Sequence, residues 1–175
     1  MSLDALKDRI PDYAKDLRIN LGVIAGSTAL TPQQAWGAAV AAAVTARSPE
    51  VLAAITVDAA AHLSPEALTA AKAAAAIMGM NNVYYRFTHF MGEVGEYHAM
   101  PARLRMQIIG KPGVDHVDFE LWCLGSSAIT GCEQCVRSHE KVVREKGGSK
   151  EAVQDTVRIA SVVHAVALTL ATAAF

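Results

Sequence analysis

Along most of the chain, apolar residues are broken by polar ones every three or four positions, the period of a helix with one face in a core. The boundaries of these segments are marked. Thr31-Pro32, Ser48-Pro49 and Ser64-Pro65 each place a hydroxyl N-cap before a proline, whose missing N–H costs nothing at the first helical position. Each pair opens an Ala-rich stretch, and alanine is the best helix former. Gly147-Gly148 ends a further helix, and Ser149-Lys150-Glu151 opens the last. Val83-Tyr84-Tyr85 is the one run with strand character, and it follows Asn81-Asn82 at the end of a helical pattern. The expected fold class is therefore all-α, with residues 1–175 as one helical domain. Residues 87–114, which include Pro101 and Pro112, are the expected irregular connection.

A faint repeat runs through this pattern. Trp36 and Trp122 each stand in a helix followed by a second helix and then a Ser-capped apolar one, at Ser64 and at Ser149. Chance in so Ala-rich a sequence explains this as well as an internal repeat does. Under the repeat, Pro49 stands at the place of Cys135.

Composition changes the picture in three ways. A formal net charge of -1 and interrupted charge runs give nothing to attract nucleic acid or an anionic membrane. Hydrophobic residues make up 52% and charged ones 19%, with a mean hydropathy of +0.23, so some apolar surface is expected to go into a homo-oligomer. The first residues carry no apolar leader, so a cytoplasmic setting is expected. The apolar run over residues 159–175 is expected to be a buried helix rather than a membrane span. Three cysteines do not make a secreted disulfide framework, and two of them form a C-x-x-C, which in a reducing compartment reads as redox or metal chemistry.

The chemistry concentrates in residues 118–139. Thr130-Gly131-Cys132-Glu133 has the form of a capping box, which predicts a helix beginning at Gly131 with Cys132 and Cys135 in its first turns. Free amides and the positive dipole end there favour a thiolate. Cys132, Cys135 and His139 then share one helix face, with Cys135 and His139 as i, i+4 neighbours close enough for imidazole to reach that sulfur directly or through one water. A free thiol with a pKa of about 8.5 is only slightly ionised at neutral pH, and a helix N-terminus plus histidine can lower it to roughly 3.5–7.5. A shift of about two units is worth ~2.7 kcal/mol. Position at the helix end alone would favour Cys132; the histidine decides for Cys135 as the attacking thiolate, with Cys132 as resolving thiol. Glu120, on the preceding helix, would orient His139 if that helix folds back. The plainer reading of Glu120 is a solvated glutamate.

The spacing Glu120-x11-Cys132-Glu-Gln-Cys135-x3-His139 resembles that of the alkyl hydroperoxide reductase D (AhpD) proteins of the carboxymuconolactone decarboxylase-like superfamily. Pro11-Asp-Tyr-Ala-Lys-Asp16, Ala76-Ile-Met-Gly-Met-Asn-Asn-Val-Tyr-Tyr-Arg86 and Leu104-Arg-Met-Gln-Ile-Ile109 with Pro112-Gly113 extend the resemblance to almost the whole chain. It implies an all-helical subunit, commonly a trimer, with the C-x-x-C at the base of a small cleft. It implies reduction of hydroperoxides, with Cys135 passing through a sulfenic acid, Cys132 closing the disulfide and donating a proton, His139 as base and Glu120 orienting it. It implies no bound cofactor. Electrons would come from dihydrolipoamide on the lipoyl domain of dihydrolipoamide succinyltransferase, recharged by dihydrolipoamide dehydrogenase, through a mixed disulfide at Cys135. The disulfide would also serve the peroxiredoxin AhpC. One departure stands out: such proteins often carry histidine just before the second cysteine, and here it is Gln134. Glutamine can hydrogen-bond but cannot exchange a proton near neutral pH, so Gln134 is the weakest site candidate.

Other readings compete. Cys123, Cys132, Cys135 and His139 could in principle hold zinc, although Cys123 and Cys132 would have to converge from two helices. Cys123 reads more simply as a buried inert residue. His164, in an apolar helix, is expected to be a hydrogen-bonded core imidazole, and His62 a partner of a helix C-terminus. His89, His98 and His116 have no partner at metal spacing. Met78, Met80, Tyr84 and Tyr85 are expected in core or interface, with shaping of a cleft as the lesser reading. Arg103 and Arg105 are expected on a solvated helix face rather than on a docking surface for an acidic lipoyl domain. A decarboxylase of the same superfamily, or a C-x-x-C redox sensor without turnover, remain the alternative functions.

Overall fold

The structure is a computed structural model and describes residues 1–92 and 94–173, apart from the His98 side chain. Among the described residues every regular element is helical. In chain order these are α1 (Leu3–Lys7), a 3-10 turn (Asp12–Ala14), α2 (Asp16–Asn20), α3 (Val23–Gly26), α4 (Pro32–Thr45), α5 (Pro49–Ala59) and α6 (Pro65–Phe90). A second 3-10 turn (Tyr97–Ala99), α7 (Gln107–Gly110), α8 (His116–Thr130), α9 (Glu133–Glu145) and α10 (Lys150–Thr172) complete the chain.

The hydroxyl caps act as the sequence predicts. Thr31 Oγ1 accepts from the Gln34 amide while Gln34 Oε1 accepts from the Thr31 amide, and Ser48, Ser64 and Ser149 cap α5, α6 and α10. Gly147 ends α9 with φ +89°. Other expectations fail. α6 does not stop at Asn81-Asn82 but runs on through Val83-Tyr84-Tyr85 to Phe90, because Asn82 spends its side chain on α8 instead of on its own backbone: its Nδ2 donates to Thr130 Oγ1 at 2.8 Å and its Oδ1 accepts from Ser127 Oγ at 3.1 Å. The irregular connection accordingly begins after Phe90. Arg103 and Arg105 lie exposed in its irregular part, Arg103 with φ +52°, not on a helix face.

α4 and α8 are the central pair. Each packs on the other and on α6 and α10, with α5 laid on α4 and α9 on α8. Buried side chains from Leu3 to Leu170 make one contiguous core. Trp122 is its largest fully buried side chain, and burying such a ring contributes about 1.5–3 kcal/mol. Its indole lies over Gly37, where a Cβ would come within 2.2 Å of the ring, and its Nε1 donates to Gln34 O at 3.0 Å. Gln33 and Gln34 also donate to the two oxygens of buried Asp118, each at 2.7 Å, pinning the start of α4 to the start of α8. α10 has the length and composition of a membrane-crossing helix, but Ile159, Val163, Val166 and Leu170 turn into the core against α4 and α8. His164, expected in that core, is on the exposed face, one position along from Val163.

The repeat is present, in a different register from the one the tryptophans suggest. α4–α5–α6 and α8–α9–α10 pack in the same way. In both units the first helix ends in a left-handed residue, Arg47 (φ +57°) or Gly131 (φ +70°), followed directly by the N-cap of the second helix, Ser48 or Cys132. Aligned on these turns, Cys132 corresponds to Ser48, Cys135 to Val51, His139 to Ile55, Val143 to Ala59 and Glu120 to Trp36. Pro49 therefore matches Glu133, not Cys135.

Replacing Gly37 by alanine should push against the indole of Trp122 and cost about 1–3 kcal/mol, lowering the chemical-denaturation midpoint. Gly79→Ala, a helical position where the added carbon meets nothing within 4 Å, should leave it level or raise it.

Candidate active site

The site is built at the junction of α8 and α9. Thr130 does not cap α9. Its Oγ1 bonds back to Ser126 O and Ser127 O and accepts from Asn82, while α8 continues to Thr130 itself. Gly131 then turns left-handed; its amide donates to Ala128 O and that of Cys132 to Ser127 O, the paired bonds of a Schellman ending. The predicted capping box is thus replaced by a glycine stop, and α9 begins at Glu133 with Cys132 as N-cap and Cys135 in the first turn.

Cys132 and Cys135 are joined as a disulfide, with Cα atoms 5.3 Å apart. The two sulfurs are not equally reachable. Cys132 is 0% exposed, whereas Cys135 is 6% exposed and lines a cleft of about 380 Å³ between α6, α7, α8 and α9. The unpaired amides of the first turn of α9 surround this pair and favour negative charge on either sulfur.

α8 folds back against α9 as the sequence argument requires. Glu120, 5% exposed, meets His139, 8% exposed, through Oε2 and Nδ1 at 2.6 Å. With a carboxylate accepting at Nδ1, that nitrogen carries the proton and Nε2 is the imidazole's working end. Nε2 lies 3.2 Å from Met78 Sδ, and no hydrogen bond between His139 and Cys135 is present in this disulfide state. The direct contact expected from i, i+4 spacing is therefore not made while Cys135 Sγ is bonded to Cys132. Gln134 is exposed and lines the mouth of the cleft.

Sequence reasoning gave cleft shaping at Met78 and Tyr85 only as the lesser reading and left out Asn81, Met106, Ile109, Ser138 and Val142. Met78, Asn81 and Tyr85 line it from α6, Met106 and Ile109 from the segment at α7, and Ser138 and Val142 from α9. The first three stand at i, i+3 and i+7, so a helix face was the signal that could have found them. Met78 is thus a cleft residue, while Tyr84 packs edge-on against Tyr85. Of the other histidines, His62 stacks on Trp36 with ring centroids 5.1 Å apart, and His89 Nε2 lies 3.7 Å from Glu133 Oε2. A larger, shallower depression of about 600 Å³ between α2, α3 and α10 carries no cysteine or histidine. Among the described residues no three His, Cys, Asp or Glu side chains are grouped to hold a metal ion, the zinc set included.

Residues 95–175 match the carboxymuconolactone decarboxylase family. Curated relatives match nearly end to end. The chain is 58% identical over 170 residues to the alkyl hydroperoxide reductase AhpD of Rhodospirillum centenum, covering 97% of this chain and 91% of the relative. It is 59% identical to the protein of that name from Gluconacetobacter diazotrophicus, over 97% of this chain and 93% of the relative. For the one from Solibacter usitatus the identity is 55%, over 97% and 96%.

Cys123 stands apart from this chemistry. It is free and fully buried on α8; burial first, and the nearby charge of Glu120 second, push its thiol well above the ordinary range. Below the unfolded-state pKa of about 8.5 this shift has no effect on stability. As pH rises through that value the unfolded chain sheds the proton and the folded protein does not, so stability falls. The wild-type denaturation midpoint should therefore drop more between about pH 7.5 and 9.5 than that of Cys123→Ala. The oxidised protein should also give no reaction with Ellman's reagent until it is unfolded.

Proposed function

The chain belongs to the alkyl hydroperoxide reductase AhpD family, and from that premise and the cleft we propose that it is an oxidoreductase that reduces hydroperoxides through Cys132 and Cys135. One observation carries the reading: the cysteine that faces the cleft, Cys135, is paired with a wholly buried cysteine and sits beside a Glu120–His139 couple.

In the dithiol state Cys135 attacks the terminal oxygen of the hydroperoxide as a thiolate. The S–O bond forms as the O–O bond breaks, giving a sulfenic acid and an alkoxide that leaves as the alcohol after taking one proton. Cys132 then attacks the sulfenic sulfur, water leaves, and the disulfide forms. Its burial suits a resolving thiol, which needs to reach only its neighbour. His139, one turn beyond Cys135 and held by Glu120, takes the thiol proton. Gln134 at the mouth can hydrogen-bond to a ligand but takes no part in proton transfer.

Re-reduction consumes two electrons and two protons from a dithiol. A narrow cleft that exposes only one sulfur suits a slender donor such as dihydrolipoamide on a lipoyl domain of dihydrolipoamide succinyltransferase, with dihydrolipoamide dehydrogenase behind it. Attack at Cys135 gives the mixed disulfide, and the donor's second thiol releases it. By the family's pattern the same pair also reduces the peroxiredoxin AhpC. A reducing cytoplasm is the setting in which such a cycle turns over. The exposed Val83, Phe87, Phe90, Val94 and Met100, around the end of α6 and the connection after it, support assembly as a homo-oligomer, by family precedent a trimer.

Dihydrolipoamide-dependent turnover of tert-butyl hydroperoxide tests this. Wild type should turn over, Cys132→Ser and Cys135→Ser should not, and His139→Ala should be slowed about a hundredfold or more. A folded, fully reduced wild type that forms the disulfide once but does not cycle would instead be a redox sensor; one that never reacts with peroxide would have neither role.

A further inference from the structure

Of the polar side chains that line the cleft and have no task in the cysteine chemistry, Asn81 is the buried one among the described residues. Asn81 is 4% exposed and lines the cleft from α6, yet its Oδ1 is buried and accepts no hydrogen bond from any described residue. It is the one buried side-chain polar atom, among those described, without a partner. Its neighbour Asn82 shows the contrast, being tied through both ends of its amide to α8. A buried carbonyl oxygen is ordinarily paired, and one left over beside a binding cleft points to a ligand that completes it.

Its position suits the reaction. Asn81 lies one helical turn beyond Met78, whose sulfur lies 3.2 Å from His139 Nε2, and it lines the same cleft as His139 and Cys135. A hydroperoxide carries a terminal O–H, a good donor that needs an acceptor when it leaves water.

Resting on the hydroperoxide-reductase reading, we propose that Asn81 is the substrate-binding residue of this cleft: its amide oxygen accepts the terminal O–H of the hydroperoxide and holds that oxygen toward Cys135 Sγ. The thiolate forms a bond to this oxygen as the O–O bond breaks, the hydrogen stays with the oxygen that becomes the sulfenic acid, and the alkoxide takes a proton and leaves as alcohol. The bond to Asn81 is thus kept from substrate to sulfenic acid, so the amide orients without being consumed. It also favours hydroperoxides over dialkyl peroxides, which have no O–H to donate.

The test compares two rates on the reduced protein at one pH: oxidation of Cys135 by tert-butyl hydroperoxide and its alkylation by iodoacetamide. Alkylation reads the thiolate and access to it; the ratio of the two reads peroxide positioning. In Asn81→Ala the ratio should fall about tenfold, the scale of one lost hydrogen bond. Asn81→Asp keeps an acceptor of the same shape, and its ratio should stay within about threefold of wild type. The Asp variant also serves if the Ala variant does not fold. An unchanged ratio in Asn81→Ala, or a ratio in Asn81→Asp that falls as far as in Asn81→Ala, overturns the assignment. A wild type that is alkylated but not oxidised by the peroxide defeats the reductase reading itself, and this inference with it.

Discussion

Gly131 holds a left-handed backbone, φ +70°, between two helices with no residue to spare between its turn and the next cap. For a residue with a side chain that conformation costs roughly 1–2 kcal/mol. The turn reverses the chain within one residue, and every feature of the site follows from the reversal. It sets α9 against α8, so that His139 comes back onto Glu120, and it makes Cys132 the N-cap, so that the pair begins α9 where unpaired amides gather. A carboxylate as buried as Glu120 is tolerable because the imidazole is there to meet it. Removing one partner of such a buried couple typically costs about 3–5 kcal/mol, far more than the pair contributes as a unit. The turn is therefore a condition for the buried couple as much as for the cysteines.

The same turn is built a second time, and the comparison shows what the chemistry adds to the scaffold. Arg47 accepts the left-handed conformation before Ser48, and α5 then buries Val51, Ile55 and Ala59 where α9 buries Cys135, His139 and Val143. Trp36 fills the place of Glu120. One half of the protein closes the position with apolar side chains, while the other leaves a cleft and lines it with a sulfur, an imidazole and a carboxylate. The scaffold alone does not make the site; the side chains at three corresponding positions do.

Much of this was legible in the sequence because it is written locally. Hydroxyl–proline pairs mark helix starts wherever they occur, and Cys135 and His139 share a face by spacing alone. What escaped depends on contacts between distant segments. Asn81-Asn82 looks like a helix end until Asn82 is seen bonded to Thr130 and Ser127. Thr130-Gly131-Cys132-Glu133 reads as a capping box, but the threonine is drawn into α8 and the glycine takes over the stop. His164 sits in an apolar sequence yet on the outer face of α10, since periodicity gives a face only once the partners of the helix are known. The repeat was visible through its tryptophans, which do not correspond, rather than through its turns, which do. Asn81 carries no chemical signature of its own, and Met78 had the cleft only as its lesser reading; the meeting of α6 with α9 puts both at the site.

On the proposed reading, Cys135, the sulfur facing the cleft, takes oxygen from the peroxide, and Cys132 resolves it. Treating reduced Cys132→Ser with one equivalent of tert-butyl hydroperoxide in the presence of dimedone, followed by peptide mass spectrometry, tests that claim most directly. The account predicts a dimedone adduct on Cys135, and none on Cys132 when Cys135→Ser is treated in the same way. An adduct on Cys132 in the second variant, with Cys135 unmodified in the first, would contradict it.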